Sequence, residues 1–266
     1  MEQMRLGIIG GTAMIVLAGD DFDTERVDEV VAETIHGQVP MTCMTLADGN
    51  ELIFVQRHHG EDDIVTPPHC IEHRANMKAL ACANVDAVLA ICSVGTIPSD
   101  FPPGSVGYAT QYIDFTGKPH SYHNKDAEFT SMTTPFNIEI NEKLDEVLSQ
   151  LQPGLKLDRN YWLTHGPHFE SRAEIDAIEI LGADVVGMTM PRECKLAAEL
   201  KLPYGAIIIA SNWAAGREPG DVFKDLDHHE VSATAEFYLG PVLQCIKALA
   251  ITNISRPPQP DYGEEC

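Results

Sequence analysis

Residues 161–189 read YWLTHGPHFESRAEIDAIEILGADVVGMT, and the order of residue types in this stretch decides the fold class. The run at 161–165 is short and apolar, as suits a strand covered on both faces. Ser171-Arg172-Ala173-Glu174 has the spacing of a capping box, which predicts a helix from there to about Leu181, with Gly182 as its stop. A second apolar, β-branched run follows at 184–188. Strand, capped helix and strand in succession form the repeating unit of an α/β fold.

The same alternation extends in both directions. Strands are predicted at 5–9, 52–56, 85–93, 105–110 and 204–211. Apolar residues at helical spacing predict helices over 68–84, 137–151 and 191–200. Asp227-His228-His229-Glu230 resembles a capping box and opens a last long helix that Gly240-Pro241 should bend. No internal repeat or low-complexity linker interrupts the pattern. The expectation is a single α/β domain over residues 1–255, built on a mixed β-sheet flanked by helices. A Pro-rich, acidic tail at 256–266 is expected to be disordered.

Composition narrows the function. A formal charge of -22 repels nucleic acid and anionic membranes, so neither is expected as a partner. No apolar run approaches the roughly 20 residues of a membrane span. The start, Met1-Glu2-Gln3-Met4-Arg5-Leu6, enters a strand without the apolar stretch of a signal peptide, so a cytoplasmic protein is expected. The 7 cysteines are scattered without a C-x-x-C pair, which suits reduced thiols.

In open α/β sheets ligands gather beyond the carboxyl ends of strands. Here those ends share a chemistry. The first is Ile9-Gly10-Gly11-Thr12, where glycines let backbone N–H groups approach an anion and Thr12 adds a hydroxyl. The second is Gln56-Arg57-His58-His59-Gly60, in which a guanidinium fork can grip phosphate oxygens. Cys92-Ser93-Val94-Gly95-Thr96 is another small-residue turn, and Thr189 can cap a helix whose N-terminus attracts anions. None matches G-x-G-x-x-G or a P-loop, so dinucleotide and ATP binding lose their main support. Two further ends look like base readers. Glu170 supplies a carboxylate and Asn212 a carboxamide, together the acceptor and donor that a lactam-type purine edge needs.

These segments, with Arg74-Ala75-Asn76 and Gly182-Ala183-Asp184-Val185-Val186-Gly187-Met188-Thr189, make the chain similar to the trimeric purine nucleoside phosphorylase and methylthioadenosine phosphorylase family from about Arg5 to Ala250. The resemblance implies a partly barrel-like mixed sheet. It implies a phosphate site of Thr12, Arg57, one of His58 and His59, the backbone near Ser93, and Thr189. It implies Met188 beneath the ribose, Phe169 at the base, and Phe129 donated from a neighbouring subunit of a homotrimer, or of a hexamer formed by two trimers. Asn212 and Ala214 stand where the methylthioadenosine branch has aspartates, so they resemble the 6-oxopurine branch. There the asparagine meets N7 and O6 while Glu170 takes the N1 proton. His228 aligns with a histidine that meets a ribose 5′-hydroxyl.

The expected reaction is therefore phosphorolysis of an inosine- or guanosine-type nucleoside, with Asn212, Arg57 and Glu170 as its catalytic residues. Inorganic phosphate is the co-substrate, and no metal or other cofactor is expected. Methylthioinosine or methylthioadenosine phosphorolysis is the nearest alternative. A metal-dependent hydrolase using His58, His59, Asp227, His228 and His229, and a nucleoside-binding protein without catalysis, stand behind it.

Overall fold

The structure is a computed structural model that describes residues 3–11, 22–60, 64–125, 128–226 and 239–258. In chain order its elements are β1 (Arg5–Gly10), β2 (Thr24–Thr34), β3 (Gly37–Leu46), β4 (Glu51–Gln56), α1 (His73–Cys82), β5 (Ala87–Thr96), β6 (Val106–Asp114) and α2 (Ile138–Leu151). There follow β7 (Asp158–Leu163), α3 (Arg172–Ile180), β8 (Val185–Gly187), α4 (Met190–Glu199), β9 (Tyr204–Trp213) and α5 (Leu239–Ala250).

The sheet runs β2-β3-β4-β1-β5-β8-β7-β6-β9, and β5 also pairs with β9. That extra pairing closes β5, β8, β7, β6 and β9 into a mixed five-stranded barrel. The other four strands extend as a wing from β5 through β1. The strands predicted at 5–9, 52–56, 85–93, 184–188 and 204–211 correspond to β1, β4, β5, β8 and β9. They are buried almost throughout, which is why they read as apolar runs. On one face of the sheet α1 and α4 cover it with Met77, Leu80, Leu196 and Ala197. On the other, α2 and α5 cover it with Ile140, Leu144, Val242 and Ile246. A smaller cluster of Ile175, Ile178, Val186 and Ala214 lies beneath α3.

Two local expectations change. The β2–β3 hairpin was not predicted; most of β2 faces solvent, so charged residues dilute its alternation. The helix expected over 68–84 divides into a 3-10 turn at Pro68–Cys70, an extended Ile71 and then α1. Glu72 caps α1 by accepting the Arg74 N–H, so the break carries its own N-cap. Helix α5 is described from Leu239 to Ala250; residues 227–230, the expected start, lie outside the described residues.

The capping box of α3 forms as read, with Ser171 and Glu174 each bonding the other's backbone N–H. Cys43, Cys70, Cys92, Cys194 and Cys245 are free thiols, whereas Cys82 is disulfide-bonded, a departure from the all-thiol expectation. Arg256, where the tail begins, donates to Asp86 Oδ1 at 3.1 Å and Asn84 Oδ1 at 2.8 Å; residues 259–266 lie outside the described residues. No helix among the described residues is long and apolar enough to cross a membrane.

Candidate functional site

Strands β1, β4 and β9 all run parallel to β5 or to its parallel neighbour, so their carboxyl ends emerge on one side of the sheet. A cavity of about 170 Å³ lies there. Its walls include Gly11, Arg57, His58, Ser93, Phe169, Glu170, Met188, Thr189 and Asn212. Residues as far apart in sequence as Gly11 and Asn212 thus converge because the parallel ladder aligns their strand ends.

One end of the cavity is cationic. Arg57 is 3% exposed, and a buried guanidinium must bond most of its five N–H groups. Its Nε bonds Glu193 Oε1, and its Nη2 bonds Glu193 Oε2 at 3.0 Å and the Ile9 carbonyl at 3.2 Å. Nη1 donates to the Ile91 carbonyl at 3.1 Å. One Nη1 hydrogen is therefore left without an acceptor among the described residues. Burial works against ionisation of both partners, yet each holds the other charged: Arg57 is raised above its ordinary pKa and Glu193 is lowered to about 2. At this end Thr189 is the N-cap of α4 without a side-chain cap bond, and its side chain instead meets the buried Cys92 thiol beside the positive end of the helix.

The tandem histidines part company. His58 lines the cavity, and its Nδ1 bonds the Thr66 carbonyl at 2.8 Å. A carbonyl accepts only, so Nδ1 carries the hydrogen and Nε2 is left as an acceptor in the neutral ring. Burial pushes this imidazole down to about 4, against the opposing pull of the Thr66 carbonyl. His59 instead turns toward α1, where its Nε2 bonds Asn76 Oδ1 at 2.7 Å. Asn76 in turn donates to the Arg57 carbonyl at 3.2 Å, so His59 braces the Arg57 backbone from behind. The pair does not converge on one point, and no cluster of three potential metal ligands occurs among the described residues.

The opposite end offers paired donors and acceptors. Asn212 accepts from the Ser211 hydroxyl at 3.0 Å through Oδ1 and donates to the Trp213 carbonyl at 2.8 Å through Nδ2. One amide hydrogen and one Oδ1 lone pair remain for a ligand. Gly95 makes room for this amide: a Cβ there would lie 3.4 Å from Asn212 Nδ2 and 3.1 Å from Val186 Cγ2. Burial raises the Glu170 carboxyl above its ordinary pKa, partly countered by the Thr164 hydroxyl. Phe169 and Met188 supply apolar surface between the two ends.

Three further expected residues are not placed at the cavity by the described residues. Phe129 is 95% exposed and touches no part of this cavity. Thr12 and His228 lie outside the described residues. Others were missed. Glu193 reads from sequence as a first-turn acid suited to the helix dipole, and only packing shows it buried against Arg57. Ser211 and Leu226 carry no sequence signal, because what matters about them is which face they present.

Comparison with known proteins identifies the family and the fold. The Phosphorylase superfamily description matches residues 5–246. The 6-oxopurine nucleoside phosphorylase of Pyrococcus furiosus is 34% identical over 236 residues, covering 85% of this chain and 84% of that one. A probable S-methyl-5′-thioinosine phosphorylase of Methanopyrus kandleri is 35% identical over 214 residues, with 80% of each covered. Among solved structures, methylthioadenosine phosphorylase from Schistosoma mansoni in complex with adenine shares the fold at a TM-score of 0.78, with 20% identity and 93% of this chain and 91% of that one covered.

Proposed function

The chain belongs to the phosphorylase superfamily, and we propose that it cleaves 6-oxopurine nucleosides with inorganic phosphate, giving free purine and α-ribose 1-phosphate. The observation that carries this reading is a single cavity with Arg57, His58 and Thr189 at one end and Glu170 and Asn212 at the other. Phosphate fits the cationic end, and a purine with a lactam edge fits the end that offers one donor and one acceptor.

The mechanism follows from that separation. Glycosidic cleavage passes through an oxocarbenium-like state. Phosphate held by the spare Arg57 N–H, the Thr189 hydroxyl and the Gly11 and Ser93 backbone sits where it stabilises the positive charge growing on the ribose. His58, neutral with Nε2 as acceptor, takes a hydrogen bond from a protonated phosphate oxygen. Asn212 donates to O6 and accepts from N7–H as electron density moves onto the departing purine. Glu170 accepts the N1–H, and the half-buried polar pair discriminates against a 6-amino edge. Phe129, almost fully exposed in the isolated chain, suits a role closing the site of a neighbouring subunit in a homotrimer.

A second reading concerns the 5′ substituent. Leu226 lines the cavity immediately before residue 227, and an apolar wall there favours a 5′-methylthio group over a hydroxyl. Methylthioinosine is thus the competing substrate, with the base assignment unchanged. The deciding experiment measures base release from inosine, methylthioinosine, adenosine and methylthioadenosine, each with and without phosphate. Strict phosphate dependence with inosine preferred supports the main reading. Preference for methylthioinosine moves the assignment to the second, and adenine nucleosides reacting best would overturn the roles of Asn212 and Glu170.

A further inference from the structure

Glu193 is the most deeply buried carboxylate in the site, at 0% exposure, yet it touches no part of the cavity itself. Its bonds all point to groups behind the anion-binding end. Beyond the two contacts with Arg57, its Oε2 accepts the Tyr204 hydroxyl at 3.2 Å, and its Oε1 lies 3.5 Å from His73 Nδ1. The adjacent Arg192 donates to the Met188 carbonyl at 2.6 Å, so the first turn of α4 grips the cavity wall from outside at two places.

A buried ion pair is weak evidence for stability, because desolvation offsets most of the Coulomb gain. A bidentate carboxylate does fix the plane and rotation of a guanidinium, however, because the fork has one matching orientation. Together with the Ile9 and Ile91 carbonyls, Glu193 uses every Arg57 hydrogen but one. We propose that Glu193 is a positioning residue for phosphate, holding Arg57 so that its single spare N–H is presented at the cavity wall. This inference rests on the assignment of that end of the cavity to phosphate.

The charge of Glu193 and its geometry make opposite predictions, which makes the proposal testable. A negative charge behind Arg57 weakens attraction for a phosphate dianion, so removing charge alone would lower the KM for phosphate. Glu193→Gln instead faces Arg57 with an amide NH2 in place of an acceptor, releasing the guanidinium from its plane. Groups that orient the ligands of a metal cost roughly ten- to hundredfold when lost, and a similar rise is expected here in the KM for phosphate. The KM for inosine should stay within about twofold, since that end of the site is untouched.

Tyr204→Phe removes only the hydroxyl that donates to Glu193 Oε2, and it should move the same parameter in the same direction by a smaller factor. It serves as the readout if Glu193→Gln does not fold. Arg57→Lys should abolish the sensitivity to Glu193→Gln, because an ammonium has no plane to hold. An unchanged or lowered KM for phosphate in Glu193→Gln, or in Tyr204→Phe where that is the variant read, overturns the proposal. A wild-type enzyme whose cleavage does not depend on phosphate refutes the functional reading instead, so the two failures are distinguishable.

Discussion

Asn212 reaches the cavity with half of its hydrogen-bonding capacity already committed to Ser211 and Trp213. That arrangement orients the amide before any ligand arrives, so no ordering cost falls on the chemical step. Asn212→Ala is therefore expected to lower kcat for inosine by about two to three orders of magnitude, as loss of a preorganised donor to a developing anion does. Near-wild-type turnover in a steady-state assay would remove Asn212 from the mechanism. Glu170 makes a prediction through pH. Its carboxyl must be ionised to accept a proton-bearing N1, and burial raises its pKa. The acidic limb of kcat/KM should consequently fall off at a pH above the ordinary carboxylate range, and Glu170→Gln should abolish that limb. At this scale the sequence was informative about residue types: a fork, a hydroxyl, a carboxylate and a carboxamide at strand ends are visible without coordinates. Which of His58 and His59 faces the ligand was not visible, because adjacent residues in a strand-end turn are separated only by the partners their rings find.

Elements place these residues by close approach. Strand β8 lies against β7, and a Cβ on Gly187 would sit 2.1 Å from the Tyr161 hydroxyl. Gly187→Ala must displace β8 or the ring, and Met188 and Thr189 follow directly after it in the cavity wall. The expected result is destabilisation of roughly 1–3 kcal/mol, as for overpacked cores, together with lost activity. Urea denaturation and the inosine assay would check both. An alanine variant of full stability and activity would show that the wall tolerates movement. Capped and stopped segments such as α3 were legible because their boundaries are local chemistry. The break ahead of α1 and the β2–β3 hairpin were not, since both depend on what the chain packs against rather than on its own periodicity.

Over the whole molecule, the closed barrel brings the carboxyl ends of strands from both halves of the chain to one cavity, yet leaves Phe129 exposed at 95%. Should Phe129 complete a neighbour's site, Phe129→Ala and Asn212→Ala chains should each be poorly active alone but regain activity when mixed and reassembled. Hybrid assemblies would then contain sites with both residues intact. Absence of any recovery in mixtures that exchange subunits would place Phe129 outside the site. Acid provides a second global test. His58 and His120 are both pushed down to about 4, chiefly by burial, from the ordinary value of 6.5. Between those values the unfolded chain binds more protons, so stability should rise as pH increases from 4 to 6.5. Denaturation midpoints across that window check the slope, and a flat profile would contradict the half-buried, neutral rings.

The sequence by itself determined the α/β class, the strand ends that carry chemistry, and the side-chain types at both ends of the site. These are local properties, written in periodicity, capping residues and turn glycines. Only the tertiary structure decided that β5 pairs with β9 to close the barrel, that His58 rather than His59 meets the cavity, and that Glu193 is buried behind Arg57. Each of those depends on contacts between segments far apart in the chain, where many pairings satisfy the same local pattern and packing selects one.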